Sequence, residues 1–244
     1  MSYAQDSQNP YQSFGMDVVA NASVDERAQF ITRTYLHLAG AIAAFLALEA
    51  VFFTFLPVEQ ILGTFLAGRW SWLIVLGAFI GVSYIADYWA RSSTSVGMQY
   101  LGLSVYVVAQ AIIFVPLLYM AQVIDGSIIP IAGLVTLVLF GGMTITVFMT
   151  RKDFSFLGSI LRFAGFVALG LILCSIVFQG FTLGIVFTVA MIAFACGYIL
   201  YDTSNVMHHY RTDQHVAASL ALFAAVALLF WYVIQLVMAL TSRD

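Results

Sequence analysis

A stretch of 39 residues, from Phe163 to Tyr201, contains no Asp, Glu, Lys or Arg. An apolar helix needs roughly 20 residues to cross the hydrocarbon core of a bilayer, so this length predicts two membrane-spanning helices, with a turn at Gln179 and Gly180. In the whole chain 62% of residues are hydrophobic and only 9% are charged, whereas a soluble domain carries roughly a quarter charged residues. The chain is therefore predicted to be a multi-pass membrane protein embedded in a lipid bilayer.

Seven apolar segments are long enough to span a bilayer: residues 34–56, 71–90, 101–121, 131–150, 157–178, 182–203 and 217–240. The predicted fold is all-α, a seven-transmembrane-helix bundle. Basic residues in short loops mark the cytoplasmic side. One side of this arrangement carries Arg27, Arg33, Arg91, Arg151, Lys152 and Arg211, and the other carries Arg69 and Arg243. This asymmetry predicts a cytoplasmic N-terminus and a C-terminus on the outer side.

The first 28 residues are rich in Ser, Gln, Asn, Pro and Gly. Their polarity predicts a disordered or surface-lying tail rather than a signal peptide, which leaves residues 29–244 as one transmembrane domain. Nine basic residues and a net charge of −3 exclude a nucleic-acid surface. No metalloprotease, serine-hydrolase or nucleotide-binding motif is present, so we expect no enzyme, cofactor or metal site. Cys174 and Cys196 lie in apolar segments and are interpreted as packing residues.

The informative residues are the ionisable ones within the predicted spans, because a charge at mid-membrane costs roughly 2.5–3.5 kcal/mol on insertion scales. A helix rises about 1.5 Å per residue, so Asp87, Arg162 and Asp202 share a level near the cytoplasmic side, whereas Glu49 belongs to the outer half. Two interpretations stay open. These side chains lie in headgroup water or snorkel to it, or they face the bundle interior. On the second interpretation Asp202, Asp87 and Glu49 supply an ion path or pH sensor.

Two segments resemble the Bax inhibitor-1 family, and its bacterial members in particular. They are FGGMTITVFMTRKDFSFLGSIL at residues 140–161 and YILYDTSNVMHHY at residues 198–210. The resemblance implies a bundle with the seventh span at its centre and a pH-sensitive calcium leak activity. It further implies two hydrogen-bonded aspartates, one ending the sixth span and one inside the seventh, with an arginine of the second span able to latch the first. Asp202 matches the first aspartate, and Arg91 lies within about two residues of the latch position.

The second aspartate of that pattern is absent, since Ala225 occupies its place and residues 216–242 contain no carboxylate. The partner of Asp202 therefore stays open among Asp87, Arg162 and Arg91. Two functions stay open as well. One is a pH-sensitive leak for Ca²⁺ or another cation in a bacterial inner membrane. The other is a non-conducting regulator that binds another membrane protein, such as a membrane-bound ATP-dependent protease.

Overall fold

A computed structural model describes residues 18–65, 69–92, 95–178 and 182–242. Within these ranges the chain forms eight α-helices: α1 Val24–Phe55, α2 Val58–Phe65, α3 Arg69–Ala90, α4 Val96–Ile124, α5 Ile128–Thr150, α6 Leu157–Val177, α7 Ile185–His208 and α8 His215–Thr241. All except α2 are long and apolar enough to cross a membrane. The prediction of an all-α, seven-span membrane protein is confirmed. The predicted turn at Gln179 and Gly180 lies outside the described residues, but α6 and α7 are separate helices, as expected.

The first helix begins earlier than its apolar sequence indicates. Ser23 accepts a hydrogen bond from the backbone N–H of Glu26 (3.3 Å), and the Glu26 carboxylate accepts one from the backbone N–H of Ser23 (3.0 Å). This reciprocal capping box satisfies two of the free N–H groups at the helix start. The helix can therefore start about ten residues before the predicted span, within the segment assigned to the tail.

Residues 18–28 are tied to the bundle. Val19 is fully buried, and its N–H donates to the carbonyl of Tyr210 (3.0 Å) in the loop between α7 and α8. The Arg27 guanidinium donates to the Val19 carbonyl (3.1 Å). Burial of an apolar side chain stabilises this attachment, so the packed part of the chain begins before residue 29. Residues 1–17 of the predicted tail lie outside the described residues.

Helix α8, the seventh span, forms the centre of the bundle. It packs against α1, α4, α5 and α7, and buried residues such as Leu222, Leu229 and Ile234 lie around its circumference. Aromatic side chains connect it to its neighbours, since the Phe223 ring lies 6.2 Å from that of Phe45 on α1. This central position agrees with what the family resemblance implied.

One end of the bundle, called here the inner end, gathers the start of α1 and the α3–α4, α5–α6 and α7–α8 loops. Three contacts define this end. Val18 and Arg211 form an antiparallel β-bridge. The Arg91 side chain interacts with Tyr210, and the Asp153 side chain contacts His209. The predicted cytoplasmic side is this end. The opposite, outer end carries α2 and the loop between α4 and α5.

Close packing of α3 against α4 fixes the position of α3 at the inner end. A Cβ atom added to Gly102 of α4 would lie 2.7 Å from the backbone nitrogen of Ala90 and 3.1 Å from the Cβ of Trp89. Such distances are too short for any side chain, so glycine is required for the two backbones to approach this closely. The last turn of α3, with Asp87, is thereby held against α4.

Candidate functional site

A cavity of about 850 Å³ lies between α3, α4, α6, α7 and α8. Its lining runs from Trp72 and Gln235, near the outer ends of α3 and α8, to Asp87, Arg91 and Asp202 at the inner end. The cavity thus extends along much of the bundle and has its charged groups at one end. Three of the five residues predicted from the sequence as site residues are brought together here.

Asp202 belongs to the buried face of α7. Ala195, Ile199 and Val206 of the same face are fully buried, at the three- and four-residue spacing of one helix side. Asp202 itself is 8% exposed. Within the described ranges no group donates a hydrogen bond to its carboxylate. The interpretation of Asp202 as a helix-end residue in water is therefore wrong, because the helix continues to His208 and the side chain faces the bundle interior.

Asp87 and Arg91 form an ion pair one helical turn apart. The Arg91 Nε lies 2.8 Å from Oδ2 and 3.0 Å from Oδ1 of Asp87, which raises the pKa of Arg91 above its usual value. Their side chains are 49% and 41% exposed, and both line the cavity. Arg91 is near enough to attract Asp202 electrostatically, and Asp87 near enough to repel it.

Tyr210 completes the inner end of the site. Its hydroxyl interacts with the Arg91 guanidinium, and burial raises the pKa of Tyr210 above its usual value. This residue was not among the sequence-predicted candidates. A tyrosine seven residues beyond the end of the predicted sixth span carried no charge to mark it, and only the chain reversal between α7 and α8 brings it to α3.

The two other predicted site residues lie elsewhere. Arg162 is exposed on α6 and does not line the cavity, and no ion pair joins it to Asp202 in the described part of the chain. Its exposure agrees with snorkelling to the headgroups. Glu49 is only 7% exposed, yet it too lies away from this cavity, on the buried face of α1 near the outer end. Neither of its carboxylate oxygens has a hydrogen-bond partner among the described residues.

Ala225 of α8 is 3% exposed and lines the same cavity as Asp202. The position at which the family resemblance implied a second aspartate therefore faces the site but carries only a methyl group. Gln110 of α4 also lines the cavity, and its Oε1 is buried without a hydrogen-bond partner in the ranges described. Among the described residues, the charged groups that line the cavity are the carboxylates of Asp87 and Asp202 and the guanidinium of Arg91.

Comparison with protein-family models matches residues 27–243 to the family described as inhibitor of apoptosis-promoting Bax1. The chain belongs to the Bax inhibitor-1 family. The resemblance drawn from the two sequence motifs is thereby confirmed over nearly the whole transmembrane domain.

Named relatives occur in plants, fungi and bacteria. The chain is 28% identical to the protein LIFEGUARD 4 of Arabidopsis thaliana over 213 residues, which cover 85% of this chain and 83% of the relative. It is 32% identical to Bax inhibitor 1 of Schizosaccharomyces pombe over 118 residues, which cover 46% of this chain and 43% of the relative. It is 31% identical to a Pseudomonas aeruginosa protein over 119 residues, which cover 49% of this chain and 53% of the relative. The chain thus spans about half the length of these last two relatives.

The first family-like motif of this Bax inhibitor-1 protein forms a turn that contacts α7. Arg151 ends α5 in the left-handed conformation (φ 51°), and Asp153 accepts a hydrogen bond from the backbone N–H of Ser155 (2.8 Å). The Oγ of Ser204, two residues after Asp202, accepts a hydrogen bond from the N–H of Phe154 (2.9 Å). The two motifs on which the family resemblance rested therefore meet at the inner end, beside the candidate site.

Proposed function

We propose that this protein is a pH-sensitive cation leak in a bacterial cytoplasmic membrane, with Ca²⁺ as the cation to test first. The observation that carries the proposal is Asp202, a buried carboxylate without a hydrogen-bond partner in the described structure, which lines a cavity with Asp87. Ionisable groups inside a membrane protein are costly and usually mark ion or proton pathways.

The chemistry of the inner end supports a cation rather than an anion. Two carboxylates face one guanidinium, so the site has an excess of negative charge. Ca²⁺ is bound by about six to eight oxygens at 2.3–2.6 Å, including waters. Asp202 and Asp87 are two carboxylates, and waters would have to provide most of the remaining ligands. Such a site favours weak, transient binding, as conduction requires.

Arg91 has the position of a latch in this proposal. Its guanidinium pairs with Asp87 and interacts with Tyr210 at the inner end of the cavity, where its positive charge opposes the passage of a cation. Protonation of Asp202 removes its attraction for Arg91, so the position of Arg91 depends on pH. Glu49 has no part in this path, because it lies away from the cavity.

Calcium flux in liposomes tests the proposal. Purified protein is reconstituted with a trapped calcium indicator, and flux is measured from pH 5 to 8 for the wild type, Asp202→Asn and Ala225→Asp. We expect Asp202→Asn to abolish the pH dependence. Ala225→Asp places a second carboxylate in the cavity, and like charges favour shared proton binding, so the flux midpoint should move to higher pH. Asp213→Asn, in an exposed loop, is the matched control. A wild type without flux at any pH would refute the leak.

A second candidate function is a regulator that binds another membrane protein, such as a membrane-bound ATP-dependent protease. The observation that favours it is Ala225, which leaves the cavity without the second carboxylate of the family pattern. The discriminating experiment compares protease activity in membranes with and without wild type or Asp202→Asn. Equal modulation by both forms, together with absent flux, would favour the regulator.

A further inference from the structure

The walls of the cavity are unlike those of a simple metal-ion path. Along most of its length they are aromatic and aliphatic, and six aromatic residues illustrate this: Trp72, Phe79, Phe187, Phe194, Trp231 and Tyr232. Its volume of about 850 Å³ lies within the roughly 300–1,000 Å³ of pockets that hold drug-sized molecules. Over this length the walls favour an apolar or aromatic occupant.

The charged groups at the inner end determine whether the occupant is a cation or an anion. Arg91 is already paired with Asp87 at 2.8 Å, which leaves Asp202 without a counter-charge at hydrogen-bonding distance in the described residues. A buried carboxylate without donors is unfavourable in its charged form, so it takes up either a proton or a compensating cation. An anionic amphiphile, including an acidic lipid, would instead meet two carboxylates.

We propose that the cavity binds hydrophobic organic cations of the quaternary ammonium or phosphonium class. The cationic centre lies beside Asp202, and its aryl or alkyl groups lie against the aromatic walls between α3, α7 and α8. Such cations carry little bound water, so entering an apolar cavity costs them less than it costs Ca²⁺. Contact with the faces of Trp and Tyr rings adds cation–π attraction. The proposal does not depend on ion conduction, because it requires only binding.

Tryptophan fluorescence makes the binding measurable, since Trp72 and Trp231 line the cavity. The full chain in nanodiscs of neutral lipid is titrated with tetraphenylphosphonium, and separately with tetraphenylborate, an anion of nearly the same shape. We expect a saturable fluorescence change with the cation and only non-saturable partitioning with the anion. Saturable binding of the anion with equal affinity would overturn the proposal, because it would mean that the shape and apolarity of the ligand, and not its charge, determine binding.

Variants at two positions separate the effect of charge on binding from that of cavity shape. Asp202→Asn should weaken tetraphenylphosphonium binding about tenfold or more, since it removes the compensating charge, and Asp202→Glu should restore most of it. Ala224→Phe keeps the charge but fills part of the cavity that Ala224 lines, so it should also weaken binding. The exposed Asp213→Asn should leave the affinity unchanged.

The outcomes are decisive even if one variant folds poorly. Thermal unfolding in the same nanodiscs identifies folded variants. If Asp202→Asn does not fold, Asp202→Glu and Ala224→Phe still test the site, and unchanged affinity in Ala224→Phe would overturn it. Equal affinity in wild type and Asp202→Asn would mean that the cation merely replaces lipid chains in an apolar cleft. Saturable binding in a protein that carries no calcium flux would support this inference while refuting the leak.

Discussion

At the scale of single residues, the two acidic side chains that are buried in the described part of the chain have different surroundings. Asp202 lines a large cavity with an arginine nearby, whereas Glu49 is buried away from it without a hydrogen-bond partner in the described residues. The sequence marked both as informative, because each lies inside or at the end of a long apolar segment, but it left open whether they face headgroup water or the bundle interior. Their surroundings could not, since the sequence does not tell which neighbouring helix faces each one.

Glu49 offers a test of stability at this scale. A buried polar group without a partner costs about 1–3 kcal/mol, so Glu49→Leu should leave the unfolding temperature in detergent unchanged or raise it. Calcium flux, if present, should not change, because Glu49 does not line the cavity. Glu49→Gln is the control that keeps the side-chain shape and its polarity. A clearly lower unfolding temperature for Glu49→Leu would mean that the carboxyl has a partner, and a changed flux would return Glu49 to the ion path.

At the scale of helices and loops, hydropathy predicted the seven spans closely, because burial in lipid demands about twenty apolar residues whatever the neighbours. It missed the start of α1, where a capping box rather than apolarity decides, and it missed the short helix α2. It also could not predict which loops meet, such as the contact of Asp153 with His209 (3.1 Å).

The contact between α3 and α4 gives a second prediction. Gly102→Ala would place a methyl group 2.7 Å from the backbone nitrogen of Ala90, so the helices must separate, at a cost of about 1–3 kcal/mol. We expect a lower unfolding temperature and a less firmly positioned Asp87–Arg91 ion pair. Gly40→Ala in α1 is the matched control, because a Cβ there meets nothing within 4 Å. An equal effect of both substitutions would indicate loss of glycine flexibility in general rather than a close approach.

The α5–α6 loop gives a pH-dependent prediction. The hydrogen bond from the Ser155 backbone, supported by His209, lowers the pKa of Asp153. A depressed pKa in the folded state contributes stability above the unfolded value of about 3.9, and this is lost as pH falls through the folded pKa. Asp153→Asn should therefore unfold at a slightly lower temperature at pH 7, with the difference vanishing as the pH falls below the lowered pKa of folded Asp153. Because the side chains of Asp153 and His209 are about half exposed, the difference in unfolding temperature is small. A difference that persists in acid would contradict an electrostatic origin.

At the scale of the whole molecule, the central position of α8 is the feature that brings distant residues together. Asp87 and Asp202 are far apart in the sequence, and they share a cavity because α3 and α7 both pack beside α8. Composition could predict a bundle but not its centre, since all seven spans are similarly apolar. The family motifs supplied that expectation, and the packing of α8 agrees with it.

Membrane orientation is the prediction that belongs to this scale. Arg33, Arg91 and Arg211 belong to the inner end, and short loops rich in basic residues stay in the cytoplasm. In a background with Cys174 and Cys196 replaced by alanine, single cysteines are introduced as Ser127→Cys in the outer α4–α5 loop and Asp213→Cys in the inner α7–α8 loop, both exposed. An impermeant maleimide applied to intact cells should label Ser127→Cys alone, and permeabilised cells should label both. Labelling of Asp213→Cys in intact cells would reverse the orientation. Asp202 and Arg91 would then face the outside, and the pH sensed at the inner end would be that of the exterior.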